Sequence, residues 1–296
     1  MQREQAAATE DATGTSVRIR LPDERLRSFA TFYYFVDCFE PLEDFLYPEW
    51  GNVRFTTRGA WIIQLGRHYP SYPMTTALFG PTDRAAKVTS QGGKTVGFGL
   101  TPLGWQRLVG VSAEKLANRV IPLGDAMGRP DGELLAELIA AGDDDAAAAA
   151  IFDQLLLERL EQTPPNPDWA IQLDHVVRER PHDVEAFAER VGVPHRTLAR
   201  LCRRVFGFGS KRLLRRQRFL ATLGQMRVNE QRHYVSLIDP EYFDQAHFVH
   251  EFREFMGLSP TEFLAAARPL MGQAALVQMA QGIPLSFALP PAPPEE

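Results

Sequence analysis

The chain has 296 residues, enough for about two domains of ordinary size. Hydrophobic residues make up 45% and charged residues 23%, which suits a buried core of normal proportions, and no apolar run approaches the roughly 20 residues that span a bilayer. A formal net charge of −5 argues against a nucleic-acid partner until its distribution along the chain is considered.

Residues 1–16 are polar and lack an apolar stretch, so they read as a frayed tail and not as a signal peptide. Residues 17–130 read as β-rich. Short apolar or alternating runs at Phe29–Val36, Val53–Phe55, Trp61–Leu65, Ala77–Phe79 and Thr95–Leu100 are separated by Gly51-Asn52, Gly80-Pro81 and Gly92-Gly93. A barrel or sandwich is expected. Over 131–162 two apolar stripes, Leu134, Leu135, Leu138, Ile139 and then Ile151, Phe152, Leu155, Leu156, Leu160, predict a helical pair, a candidate dimerisation element. The run Thr163-Pro164-Pro165-Asn166-Pro167 cannot continue a helix and is the expected linker. Residues 168–270 read as helical throughout, and 271–296, with five prolines after Ile283, as a flexible tail. The expected fold class is α+β: a β-rich N-terminal domain followed by an all-α C-terminal one. The two cysteines, Cys38 and Cys202, fall in different expected domains, so no disulfide framework is expected and a reducing cytoplasm is the natural setting.

The charge is segregated. Residues 195–228 hold Arg196, Arg200, Arg203, Arg204, Lys211, Arg212, Arg215, Arg216, Arg218 and Arg227 and no acidic residue, while the rest of the chain has 22 basic against 37 acidic groups. Solvated helices usually mix signs to form i,i+4 pairs, so ten cations without an anion point to a phosphate-binding surface.

The same stretch contains a helix-turn-helix pattern. Asp183 is a good N-cap; Val184, Phe187, Ala188 and Val191 mark one face; Gly192 ends the helix. Pro194 suits the start of the next helix, on which Leu198, Leu201, Cys202 and Val205 face inward and His195, Arg196, Ala199, Arg200, Arg203 and Arg204 outward. A helix in the major groove needs that division, with arginine able to fork onto guanine. After a long basic helix, about Ser210–Val228, a second unit follows. Tyr234, Leu237 and Ile238 form a short helix, Asp239–Phe243 a turn, and Asp244 caps a helix with Phe248, Val249, Phe252 and Phe255 inward, ended by Gly257. Ser259-Pro260-Thr261-Glu262 is a capping box. This unit is acidic: residues 229–268 hold three arginines against seven carboxylates, among them Glu251 and Glu254 on the recognition helix.

The run Tyr242-Phe243-Asp244-Gln245-Ala246-His247-Phe248, then Phe252-Arg253, Phe255, Gly257 and Ser259-Pro260, resembles the C-terminal signature of the AraC/XylS family. Ala188, Gly192, Leu198, Arg200, Phe206 and Gly207 are similar to that family's first helix-turn-helix. The chain departs from the pattern at Glu241, where the family usually has a small residue in the turn. The resemblance implies a transcription regulator that reads successive major-groove segments of a double-stranded operator. Arg196 and Arg200 match its base-reading face, as do Gln245, Ala246, His247 and His250 on the second helix. Lys211, Arg212, Arg215 and Arg216 would anchor phosphate or be solvated. A small-molecule effector, a second copy of the chain and, for an activator, RNA polymerase are the partners implied.

The β-rich part resembles the cupin-like sensor domains often placed before this module. Residues 1–174 contain one histidine, His68, so neither a metal site nor another cofactor is expected. Trp50, Trp61, Phe98 and Trp105 are the candidate ligand-binding aromatics, with plain core the competing reading. Two other functions stay open: an alkyl-transfer repair enzyme using a cysteine thiolate, and an interaction protein that has lost DNA binding. Cys38 has no adjacent base, and no G-x-S-x-G elbow, P-loop or dinucleotide fingerprint occurs, so the chain is not expected to be an enzyme.

Overall fold

A computed structural model describes residues 14–66, 70–229 and 233–283. Eight strands form one antiparallel sheet: β1 (Thr15–Arg20), β2 (Ala30–Cys38), β3 (Leu42–Leu46), β4 (Asn52–Leu65), β5 (Ser71–Pro73), β6 (Thr76–Phe79), β7 (Ala86–Leu100) and β8 (Val120–Pro122). Its order is β1-β2-β7-β4-β6-β8, with β3 added to β7 and β5 to β4. The expected tail over 1–16 is corrected at its end, because Thr15 and Ser16 pair with Cys38 and Asp37; residues 1–13 lie outside the described residues.

The long strands β4 and β7 pair along most of their length and share a corner at Gly59, Gly92 and Gly93. A Cβ on Gly59 would lie 2.1 Å from the Gly92 carbonyl oxygen, and all three glycines have positive φ. Only glycine meets both demands. Strand alternation then sorts side chains to two faces. Tyr33, Phe35, Val53, Phe55, Val96 and Phe98 share one face and one core cluster with the helical pair α2 (Asp131–Ala141) and α3 (Asp145–Gln162). Phe152 of α3 sits at its centre, with ring centroids 5.2–6.0 Å from those of Phe98, Tyr33 and Phe55. Val17, Ile19, Val36, Trp61, Ile63 and Val88 belong to a second cluster on the other face.

The chain continues through the short helix α1 (Pro102–Gly104) to β8, α2 and α3, and then through α4 (Asp168–Arg178), α5 (Val184–Val191), α6 (His195–Phe206), α7 (Ser210–Val228), α8 (Gln245–Met256), α9 (Pro260–Ala265) and α10 (Pro269–Ala280). The second β-face cluster runs on into α7, α8 and α9 through Phe219, Phe252, Phe255 and Phe263. The two regions therefore share a core. Tyr47 and Phe263 have ring centroids 5.8 Å apart, and the Ala85 N–H donates to the Phe255 carbonyl at 2.7 Å.

The flexible tail expected over 271–296 is corrected at its start, because residues 269–280 are α10, which lies against β1 and β3; residues 284–296 lie outside the described residues. Its apolar residues Leu270, Met271, Ala275 and Val277 alternate with small or amide side chains and leave no charged stripe, so no amphipathic period announced it. Asp44 of β3 accepts hydrogen bonds from the Leu270 and Met271 N–H groups, at 2.9 and 2.8 Å. Burial pushes the Asp44 carboxyl up from its ordinary pKa, against these donors and the Phe45 N–H. Asp44→Ala is expected to cost about 1–2 kcal/mol, as for the loss of a strong helix cap, and hydrogen exchange at Leu270 and Met271 should quicken while α3 is unaffected. Unchanged exchange at both amides would show that Asp44 does not hold the helix.

Candidate nucleic-acid interface

The first helix-turn-helix forms for the local reasons that its residues suggest. Asp183 accepts from the Ala186 N–H at 2.7 Å, Gly192 takes the left-handed conformation at φ +73, and Gly207 closes α6 at φ +86. Leu198, Leu201, Cys202, Val205 and Phe206 are buried. On the other side of α6, His195, Arg196, Arg200, Arg203 and Arg204 are exposed and Ala199 is half-buried. Two of these cations have neighbours: Arg203 lies 3.4 Å from Glu114, and Arg204 stacks 5.4 Å above the Trp169 ring. Arg196 and Arg200 project from the N-terminal half of the helix. Lys211, at the start of α7, is exposed.

The connecting helix α7 overturns the reading of the basic run as one phosphate-binding surface. Arg212 bonds Asp83 at 2.8 Å and also pairs with Glu254. Arg215 pairs with Glu251 and Glu254, and Arg218 with Glu241 at 3.2 Å. Arg216 is 0% exposed: its Nε donates to the Thr82 carbonyl at 2.8 Å and its guanidinium lies 3.9 Å from the Trp50 ring centroid. Burial lowers its pKa to about 9, even with Asp83 and Glu49 nearby. Thus Arg212 and Arg216, candidate phosphate anchors by sequence, instead tie α7 to the β region. Their partners there, Asp83 and Thr82, are more than 120 residues away, where no local pattern reveals them.

The acidity of the second unit is corrected by the same contacts. Glu251 is 0% exposed and accepts from Tyr242 Oη at 2.8 Å as well as from Arg215. Glu254 faces Arg212 and Arg215. Both carboxylates turn toward α7, not toward a groove. The departure at Glu241 has the same explanation, since it answers Arg218. The expected short helix is one tight turn, Tyr234–Leu237, and Asp244 caps α8 by accepting from the His247 N–H at 2.7 Å. Gln245, Ala246, His250 and Arg253 are exposed. His247 departs from its expected outward position: it is half-buried, edge-on to Tyr242 at 5.3 Å and 3.8 Å from Glu251. Phe243, 91% exposed at the mouth of this turn, was not among the candidates; a lone aromatic beside a cap gives no periodic signal.

The candidate ligand aromatics part company. Trp61 lines a cavity between the sheet and α10. Trp50 stacks between Phe206 and Arg216, and Phe98 and Trp105 are core residues on the α2–α3 side, so these three do not join it. Neither cysteine is activated: Cys38 donates to the Glu40 carbonyl and burial raises its pKa, and burial pushes Cys202 up to about 12. His68 lies outside the described residues. Among the described residues no helix is long and apolar enough to cross a membrane.

A buried apolar face behind an exposed row of arginines, entered by a tight glycine turn, defines a DNA-binding helix-turn-helix protein. Residues 187–266 match the family described as "Helix-turn-helix domain", so this segment is a helix-turn-helix domain of the AraC type, the type whose motif residues are given above. Comparison with curated proteins returns no match. Among solved structures, ToxT from Vibrio cholerae O395 is 11% identical, with 76% of this chain and 97% of that one covered at a TM-score of 0.42. ToxT from Vibrio cholerae strain SCE256, described as unsaturated fatty acid bound, is 11% identical over 86% and 96% at 0.42. The AraC-like transcriptional activator CuxR is 14% identical over 69% and 85% at 0.27. The assignment rests on the matched segment and its motif, not on these distant likenesses.

Proposed function

We propose that the protein is a sequence-specific, ligand-responsive regulator that reads operator DNA with two unequal helix-turn-helix units. The observation that carries this reading is the exposed face of α6, where Arg196 and Arg200 stand one turn apart over a buried apolar face. Arg200 forks onto a guanine, and Arg203, Arg204 and Lys211 hold phosphates. The second unit presents Gln245, Ala246, His250 and Arg253, a face with little charge, and so adds selectivity more than affinity. The cavity beside Trp61 receives an effector, and the arginines of α7 carry its effect from the β region to the helices. The helical pair over 131–162 is available for contact with a second copy, and RNA polymerase is the further partner if the protein activates. Its setting is the cytoplasm, where the operator is.

Selection of bound sequences from a random duplex pool by the full-length protein tests this reading. An enriched motif is expected, with its strongest positions under the first unit and a weaker set about 34 Å along the duplex. Retention of the pool without enrichment would leave only non-specific binding.

A further inference from the structure

The effector's chemistry is written in the cavity, and this step rests on the β region being the ligand-sensing part. The cavity measures about 110 Å³ and lies between the inner face of the sheet and α10, with Val36, Trp61, Met74, Leu270 and Met271 among its walls. Two charged residues line it, Glu49 and Arg54. Arg54 is 6% exposed; one arm of its guanidinium pairs with Glu49, its Nε donates to Tyr34 Oη at 3.1 Å, and its plane lies 4.2 Å from the Phe79 centroid. Its charge is therefore matched, but its donors are not exhausted. Nη1 is buried without a partner, and so is Nε1 of Trp61, itself 1% exposed.

Such an N–H is destabilising when it has no acceptor, and a guest that offers one recovers part of that cost. A guest that brings a negative charge meets the opposite response. It would leave water to sit beside Glu49 with no unmatched cation among the lining residues, and desolvation of an unpaired ion is far more expensive than that of a carbonyl. Size narrows the choice further. A cavity of about 150 Å³ admits benzene, so the guest of this smaller one has at most about benzene's six heavy atoms.

We propose that the cavity binds a small, neutral, mainly apolar molecule with one hydrogen-bond acceptor, a ketone, aldehyde or ether, received by Arg54 and Trp61. α10 forms one wall of the site and directly follows the DNA-binding helices, so the guest touches both parts of the molecule.

Ligand-observed NMR on the full chain at pH 7 tests the class with three probes of similar size: cyclopentanone, cyclopentane and butyrate. Cyclopentanone should bind at least tenfold more tightly than cyclopentane, and butyrate should not compete with it. Trp61→Phe, which keeps an aromatic wall and removes one donor, should reduce the advantage of cyclopentanone several-fold and leave cyclopentane unchanged. Butyrate binding as tightly as cyclopentanone would overturn the proposal, and so would the failure of all three to bind. A mobility shift with each probe separates the two claims. If cyclopentanone binds but DNA affinity does not change, the ligand class stands and the ligand-responsive reading falls.

Discussion

Glu251→Ala is expected to cost about 3 kcal/mol of stability, the largest single-residue effect in the helical region. Glu251 is fully buried on α8 and answers two groups, Arg215 and the Tyr242 hydroxyl. Removing one member of a buried pair leaves the other without its partner, which typically costs 3–5 kcal/mol; Arg215 retains Glu254, which places the loss at about the lower end. Burial, reinforced by Glu251, also raises the Tyr242 pKa, so that hydroxyl stays a donor and loses the Glu251 acceptor with the substitution. Glu254→Ala is the control. Its carboxylate is about a third exposed, and its loss should cost no more than about 1 kcal/mol. Urea midpoints of both variants decide the matter, and equal losses would show that burial does not set the strength of these pairs.

DNA affinity should fall about 500-fold between 50 and 200 mM salt. Each phosphate contact contributes a slope of about −0.9 in log K against log salt. The first unit presents five exposed cations, Arg196, Arg200, Arg203, Arg204 and Lys211, and so a slope of about −4.5. All ten cations of 195–228 would give a slope of about −9 and a loss of about 10⁵ over the same range. The difference comes from Arg212, Arg215, Arg216 and Arg218, which already face Asp83, Glu254, Glu251, Thr82 and Glu241, and from Arg227, which is buried. A slope near −9 would mean that DNA pulls α7 away from these partners. A slope near zero would mean that the exposed face of α6 meets no phosphate.

What the sequence discloses and what it hides divide along the same line. Caps and stops are local, and Asp183, Gly192, Gly207, Asp244, Gly257 and the Ser259–Glu262 box all sit where their residue types demand. The β strands were legible from short apolar runs, although β4 and β7 are longer than those runs because glycine corners carry the strands around a bend. Long-range pairing is different. The basic run read as one surface because nothing near Arg212 or Arg216 names Asp83, Thr82 or Trp50 as partners. Glu251 and Glu254 read as part of an acidic recognition helix for the matching reason: spacing places them on α8, and only α7 beside it shows that they face its arginines. The cavity was the least visible feature, since its walls combine β1, β2 and β4 with α10, a helix without an amphipathic period.

The central claim is that α6 reads base sequence, and Arg200→Ala tests it most directly. Arg200 is exposed on the N-terminal half of the helix, beside Arg196 and away from the Glu114 contact made by Arg203. Affinity of the variant and of the unaltered protein should be measured for the selected site and for a random competitor at one salt concentration. Loss of a forked guanine contact should weaken specific binding by about 1–3 kcal/mol, lower the ratio of specific to non-specific affinity by roughly 5- to 150-fold, and relax preference at one or two base pairs. An unchanged ratio, with both affinities reduced alike, would make Arg200 a phosphate contact and contradict the assignment of α6 as the reading helix.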